Sequence, residues 1–204
     1  REHDPGLDIK PEEYPYIAWY EYSDYIFAGK GSVNNNQELF YAPKSELLSE
    51  KINWKPLCKK SDEITYFIAH GDNVYLLSSK DASNFKVIST SLKNPDLANA
   101  RLILNGGDKK IESIGNTKDF LIITQIYNGI ETTVSKMNFR NSVLTPVNLP
   151  LKGSISVDPV SPFSNQCSVW NSYWTTPSNL YSLNLENDEF EKGPFNVEFE
   201  FSGI

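Results

Sequence analysis

The sequence predicts an all-β protein, built as four consecutive four-stranded antiparallel blades of a β-propeller. Three observations carry this reading. Short β-type runs recur along all 204 residues, separated by Gly, Asn, Asp and Pro clusters, and no stretch shows a long helical period. The runs fall into groups of four. The groups repeat: second-run markers Tyr25, Tyr75, Leu121 and Ser168 are spaced by 50, 46 and 47 residues, and third-run markers Phe40, Lys86, Thr133 and Tyr181 by 46, 47 and 48. That period matches one four-stranded blade, whereas a sandwich gives no reason for a fixed repeat with the same internal order.

The first blade, residues 14–60, has runs at Ile17–Tyr22, Tyr25–Lys30, Glu38–Pro43 and Trp54–Cys58. The second, residues 61–107, has runs at Glu63–His70, Asn73–Ser79, Phe85–Leu92 and Ala100–Asn105. The third, residues 108–151, has Ile111–Asn116, Phe120–Ile126, Glu131–Asn138 and Val143–Leu149. The fourth, residues 152–194, has Ser154–Pro159, Gln166–Trp174, Leu180–Asn184 and Glu189–Lys192. Residues 195–204 alternate as an exit strand at Val197–Phe201. Asn128-Gly129 marks a tight hairpin, as does His70-Gly71-Asp72-Asn73. Ser45–Lys51 and Pro95–Ala100 each have room for one helical turn. Asn34–Gln37 reads as a polar, mobile hairpin tip.

Composition excludes several classes. Hydrophobic content is 39% and charged content 22%, as in an ordinary folded domain rather than a disordered one. The net charge is −7, and no basic cluster exceeds Lys59-Lys60 or Lys109-Lys110, which argues against nucleic acid as a partner. No apolar run approaches 18 residues, so no membrane helix is expected. Cys58 and Cys167 lie 109 residues apart without metal-ligand spacing, and buried free thiols are the simpler reading. The loop-like opening Arg1–Gly6 reads as a cut from a longer protein.

The second blade is specific enough to suggest a family. Ala69–Val87, with Tyr75-Leu76-Leu77 followed by Lys80-Asp81-Ala82-Ser83-Asn84, resembles the propeller of prolyl oligopeptidases, with Ser83 where that family usually has Pro. Leu92-Lys93-Asn94-Pro95-Asp96 resembles the family's connection into the last strand of the blade. Ile111–Ile114 with Lys118–Leu121, and Ser172–Tyr181, are similar to later blades. Ile9–Pro15 and Trp54–Leu57 fit the bacterial branch, for which the cytoplasm and the periplasm both stay open as the compartment. The resemblance implies a seven-bladed propeller stacked on an α/β-hydrolase domain with a Ser-Asp-His triad. Such enzymes cleave short peptides after proline, and the propeller excludes folded proteins. This chain would supply the last four blades of that lid. Its implied partners are the hydrolase domain and a short peptide substrate, with no cofactor, metal, nucleic acid or membrane.

Catalytic residues are not expected in this chain. A Gly-x-Ser-x-Gly elbow is absent; Gly31-Ser32 and Gly153-Ser154 lack the second glycine. The histidines are His3, near the start, and His70, in a tight turn where backbone chemistry explains it better than proton transfer. The paired acids Glu12-Glu13, Asp188-Glu189 and Glu198/Glu200 read as solvated faces, and Asp81, Asp96 and Asp108 as turn residues. Trp19-Tyr20-Glu21-Tyr22 and Trp170–Trp174 could line a ligand wall, but blade-to-blade packing assigns them to the core. Two other classes remain open: a stand-alone propeller that binds a protein or peptide, and a sugar-binding propeller. Blade faces without neighbours would favour self-association.

Overall fold

The computed structural model describes residues 9–33, 35–174, 176–193 and 196. Among them are sixteen strands in four antiparallel sheets, each a simple meander. Blade 1 is β1 (Tyr14–Trp19), β2 (Tyr25–Gly31), β3 (Glu38–Pro43) and β4 (Lys55–Cys58). Blade 2 is β5 (Ile64–His70), β6 (Asn73–Ser78), β7 (Lys86–Ser91) and β8 (Arg101–Asn105). Blade 3 is β9 (Lys110–Asn116), β10 (Phe120–Tyr127), β11 (Glu131–Asn138) and β12 (Leu144–Val147). Blade 4 is β13 (Ser154–Pro159), β14 (Gln166–Tyr173), β15 (Thr176–Asn184) and β16 (Glu189–Lys192). The chain divides into two compact units, residues 1–107 and 108–204, so each unit holds two blades.

The turns follow local chemistry. Asn128 and Gly129 both take positive φ (50° and 72°), and the Ile130 N–H donates to the Tyr127 carbonyl. This is the twist-matched turn that Asn-Gly favours. Gly71 at φ 57° closes the two-residue turn between paired His70 and Asn73.

Several boundaries differ from the sequence reading. β1 starts at Tyr14 rather than Ile17, because Tyr14 and Tyr16 pair with Gly31 and Gly29 and lay their rings over them. It stops at Trp19 because the Ser23 N–H turns back to the Tyr20 carbonyl. β15 starts at Thr176 rather than Leu180, since a bulge between Asn171 and Tyr173 lets the ribbon continue to a Tyr173–Thr176 pair. Lys44–Leu48 is a short 3₁₀ turn near the place expected for one, and Lys60–Asp62 adds another. Residues 95–100 form no helix: the Asp96 carboxylate accepts from the Ala98 and Asn99 N–H groups and holds a turn instead. The expected exit strand at Val197–Phe201 lies outside the described residues.

Within each unit the two blades share one apolar seam. In the first, Phe27, Leu39 and Tyr41 of blade 1 meet Ile64, Phe67 and Leu76 of blade 2. Tyr20 stands edge-on to both Phe27 and Phe67, and its hydroxyl donates to the Phe67 carbonyl at 2.5 Å. In the second, Phe120, Ile122 and Val134 of blade 3 meet Ile155, Val157 and Val169 of blade 4. The sequence period returns here as hydrogen bonds between equivalent turns. Ser23 Oγ donates to the Gly71 carbonyl (3.2 Å), and Thr117 Oγ1 donates to Asn165 Oδ1 (3.2 Å), each across 48 residues. Asn165 also accepts from the Asp119 N–H and donates to the Asp119 carboxylate, both at 3.0 Å. Cys58 and Cys167 are buried free thiols, and burial pushes each up to about 12.

Candidate binding groove

A groove of about 610 Å³ opens in the second unit, at the edge that carries the β10–β11 turn. Its origin is local. β12 ends at Val147, so only Val134–Met137 of β11 pair with it, and Glu131–Thr133 have no fourth-strand neighbour. Asn148-Leu149-Pro150 then leads into the linker Leu151–Gly153. That linker is fixed from both sides. The Thr132 N–H donates to the Gly153 carbonyl (3.2 Å), and the Ile155 N–H donates to Thr132 Oγ1 (3.0 Å). From β14, Asn171 Nδ2 donates to the Lys152 carbonyl at 2.7 Å.

Gly153 is required there. It sits at φ 91°, and a Cβ would lie 2.5 Å from the Ser172 carbonyl oxygen. The close approach brings the end of β14 against the linker. Ile130, Glu131, Lys152, Tyr173 and Trp174 line the groove, and a second hollow of about 320 Å³ shares Ile130, Tyr173 and Trp174. Trp174 is 83% exposed and Tyr173 43%. Glu131 and Lys152 are exposed, and among the described residues neither side chain has an ion-pair partner.

The corresponding place in the first unit is plugged. The Gln37 N–H donates to the Ile64 carbonyl and its Nε2 to the Thr65 carbonyl, each at 2.8 Å, while Tyr16 OH donates to Gln37 Oε1. Burial pushes the Tyr16 phenol up to about 12. Beside it, the Glu13 side chain is only 3% exposed and accepts from Lys60 Nζ at 2.5 Å. The bond from Lys60, helped by the Lys10 N–H, holds the Glu13 carboxyl below its usual range, and Lys60 is raised in turn. A small hollow of this unit, about 170 Å³, is lined by Asp62, Lys80 and Lys86 among others.

The residues weighed from sequence do not converge. Gly31 lies under the Tyr14 ring, whereas Gly153-Ser154 is part of the groove wall. His70 packs its ring against Tyr22 at 5.5 Å. Of the acids, Glu13 is buried and paired rather than solvated, and Asp188 accepts from Lys136 at 2.5 Å. Asp81 is an exposed turn residue at φ 52°, Asp96 caps its own turn, and Asp108 is an exposed turn residue. His3, Glu198 and Glu200 lie outside the described residues. Gln37 is no mobile tip but a fixed plug. Core packing holds for Tyr20 and fails for Trp19, Trp170, Tyr173 and Trp174, which are exposed. Strand alternation explains it: Cys167, Val169 and Asn171 point to the seam, so Trp170 faces the other way. Among the described residues no three His, Cys, Asp or Glu gather to hold a metal.

The groove residues Glu131 and Lys152 were not singled out from the sequence. The available signal was the short fourth run of blade 3, broken by Pro146 and Pro150, beside an Asn-Gly turn.

The family model described as prolyl oligopeptidase, N-terminal β-propeller domain, matches residues 17–194. Among solved structures, prolyl oligopeptidase B from Galerina marginata is similar, with 17% identity and a TM-score of 0.74 over 89% of this chain and 26% of that one. A prolyl endopeptidase studied for inter-domain dynamics in catalysis and specificity shares 15% identity and a TM-score of 0.74, over 91% of this chain and 28% of that one. Oligopeptidase B from Trypanosoma brucei, in a closed form with covalently bound antipain, shares 15% identity and a TM-score of 0.72, over 90% and 27%. The chain thus spans little more than a quarter of these structures. Among curated proteins none matches.

Proposed function

This chain belongs to the prolyl oligopeptidase N-terminal β-propeller family, and from that premise we propose that it serves as part of the substrate-gating lid of a serine endopeptidase that cleaves short peptides after proline. The observation that carries the proposal is the family match across all four blades, in a chain whose sequence has no nucleophile elbow. Chemistry then belongs to a partner, an α/β-hydrolase domain, and the blades act by controlling access. Packed antiparallel sheets suit that role because an apolar seam resists local opening.

The chain alone is expected not to hydrolyse a Gly-Pro reporter. A parent polypeptide carrying both parts is expected to cleave octapeptides and spare folded proteins. Cleavage by this chain that depends on one of its own serines, or equal cleavage of folded proteins by the parent, would overturn the proposal.

A stand-alone binding propeller is the second reading, favoured by the open groove with its exposed Trp174. Reading the parent gene past Ile204 separates the two. In this chain alone, Ile17 and Trp19 on β1 and Trp170 on β14 are each about half exposed or more. These suit contact with a second copy, and the chain is expected to run larger than its 23.1 kDa mass by light scattering. A monomer at every concentration would remove self-association.

A further inference from the structure

We propose that the groove between blades 3 and 4 binds a short peptide with free ends, seating an aromatic ring on Trp174 while Glu131 and Lys152 take the ammonium and carboxylate ends. This holds whether or not the chain gates a peptidase.

The size fits. A hollow of about 610 Å³ is within the usual range for small-molecule sites. The lining fits as well. Trp174, Tyr173 and Ile130 offer exposed apolar surface, which a stacked ring would cover at low entropic cost. Trp and Tyr also carry N–H and O–H donors whose hydrogen bonds the carbonyls of a peptide backbone can accept.

Charge selects the class of ligand. The groove presents one acid and one base, and neither has an ion-pair partner among the described residues. Opposite charges in one groove complement a zwitterion. A neutral oligosaccharide could stack on Trp174 but would leave both charges unused, and a nucleic acid would meet a chain of net charge −7.

The shape is maintained without ligand. The Thr132 N–H, Thr132 Oγ1 and Asn171 Nδ2 all bond to the backbone of the linker or of nearby Ile155, so the groove needs no folding step to form. The equivalent place in the first unit is filled by Gln37 and Tyr16, which marks the opening in the second as particular to that seam.

The test uses glycyl-prolyl-phenylalanine with free ends, followed by the indole N–H signals in NMR, with the Trp174 signal assigned through Trp174→Phe. The expected result is a saturable shift of that signal. Affinities of the variants are read by isothermal titration calorimetry, where Trp174→Ala should weaken binding about tenfold or more. Glu131→Gln and Lys152→Gln should each weaken it about two- to fivefold, as exposed ion pairs do. The acetylated, amidated peptide should bind more weakly and be indifferent to both charge variants. Circular dichroism establishes that the variants stay folded, as expected for exposed side chains. Equal affinity for the blocked peptide, a saturable shift with maltohexaose and none with the peptide, or no saturable shift at about 10 mM peptide would each overturn the proposal.

Discussion

The two blade pairs have the same strand order and a hydrogen bond between equivalent turns, yet their seams are built differently. The first is aromatic: Phe27 and Phe67 lie 5.0 Å apart with Tyr20 edge-on to both, and Gln37 seals one edge. The second is mainly aliphatic, is closed at one end by the Asn165 amide, and opens at the other into the groove. A repeated fold therefore fixes backbone pairing but leaves the seam edge free to vary. Sealing one pair and opening the other costs no strand.

The largest break in that contrast should come from Phe27→Ala. Phe27 is fully buried and touches both aromatic partners, so its loss leaves a cavity worth about 3–5 kcal/mol. Urea unfolding of the chain should show it. Val169→Ala, at the aliphatic seam, removes less volume and should cost about half as much. Equal losses would mean that the aromatic seam carries no special share of the stability.

Gly153→Ala attacks the open seam. A side chain at φ 91° is strained, and its Cβ meets the Ser172 carbonyl at 2.5 Å. About 2–3 kcal/mol is expected, together with loss of the groove and of peptide binding. An alanine variant of native stability would show that the linker does not need the left-handed turn.

The repeat was legible because each blade spells its own strands and turns. The period of about 47 residues, the Asn128-Gly129 turn and the four-run groups all rest on local chemistry. The site was not legible for the opposite reason. Gln37 looks like part of an Asn-rich tip until Ile64 and Thr65 are beside it, and those partners come from the next blade. Trp174 and Trp170 look like core until it is known which face of blade 4 meets the seam. Alternation separates the two faces of a strand but does not say which one is covered. Pro95–Ala100 had room for a helical turn, and Asp96 does cap the Ala98 and Asn99 N–H groups, but β8 begins at Arg101 and leaves no length for a helix to continue.

Gln37→Ala sharpens the comparison from the sealed side. It removes the bond to the Thr65 carbonyl and leaves the Tyr16 hydroxyl without its acceptor, at a cost of about 1–2 kcal/mol. It should also open space beside Tyr16. Added peptide affinity is not expected, since Glu131, Lys152 and Trp174 all belong to the second unit. Binding gained at the new hollow would mean that space alone, rather than charge and ring, selects the ligand.

The smallest effect concerns acid. Hydrogen bonding to Lys60 and to the Lys10 N–H holds the Glu13 carboxyl below its usual 4.5 in the folded chain. A depressed carboxyl stabilises the fold at pH above the unfolded value. That contribution fades as pH falls below about 4.5 and through the folded value. Lys60, raised by the same bond, contributes below its ordinary 10.5 and loses that contribution only at higher pH. Asp96, lowered chiefly by the Asn99 side chain, adds to the acid loss in the same direction. Glu13→Gln should therefore lower Tm modestly at pH 7 and flatten its fall between pH 5 and pH 3, while Lys152→Gln at the open groove should leave that fall unchanged. If Glu13→Gln and the parent chain lose Tm in parallel through this window, the plugged edge of the first unit is not the acid-sensitive one.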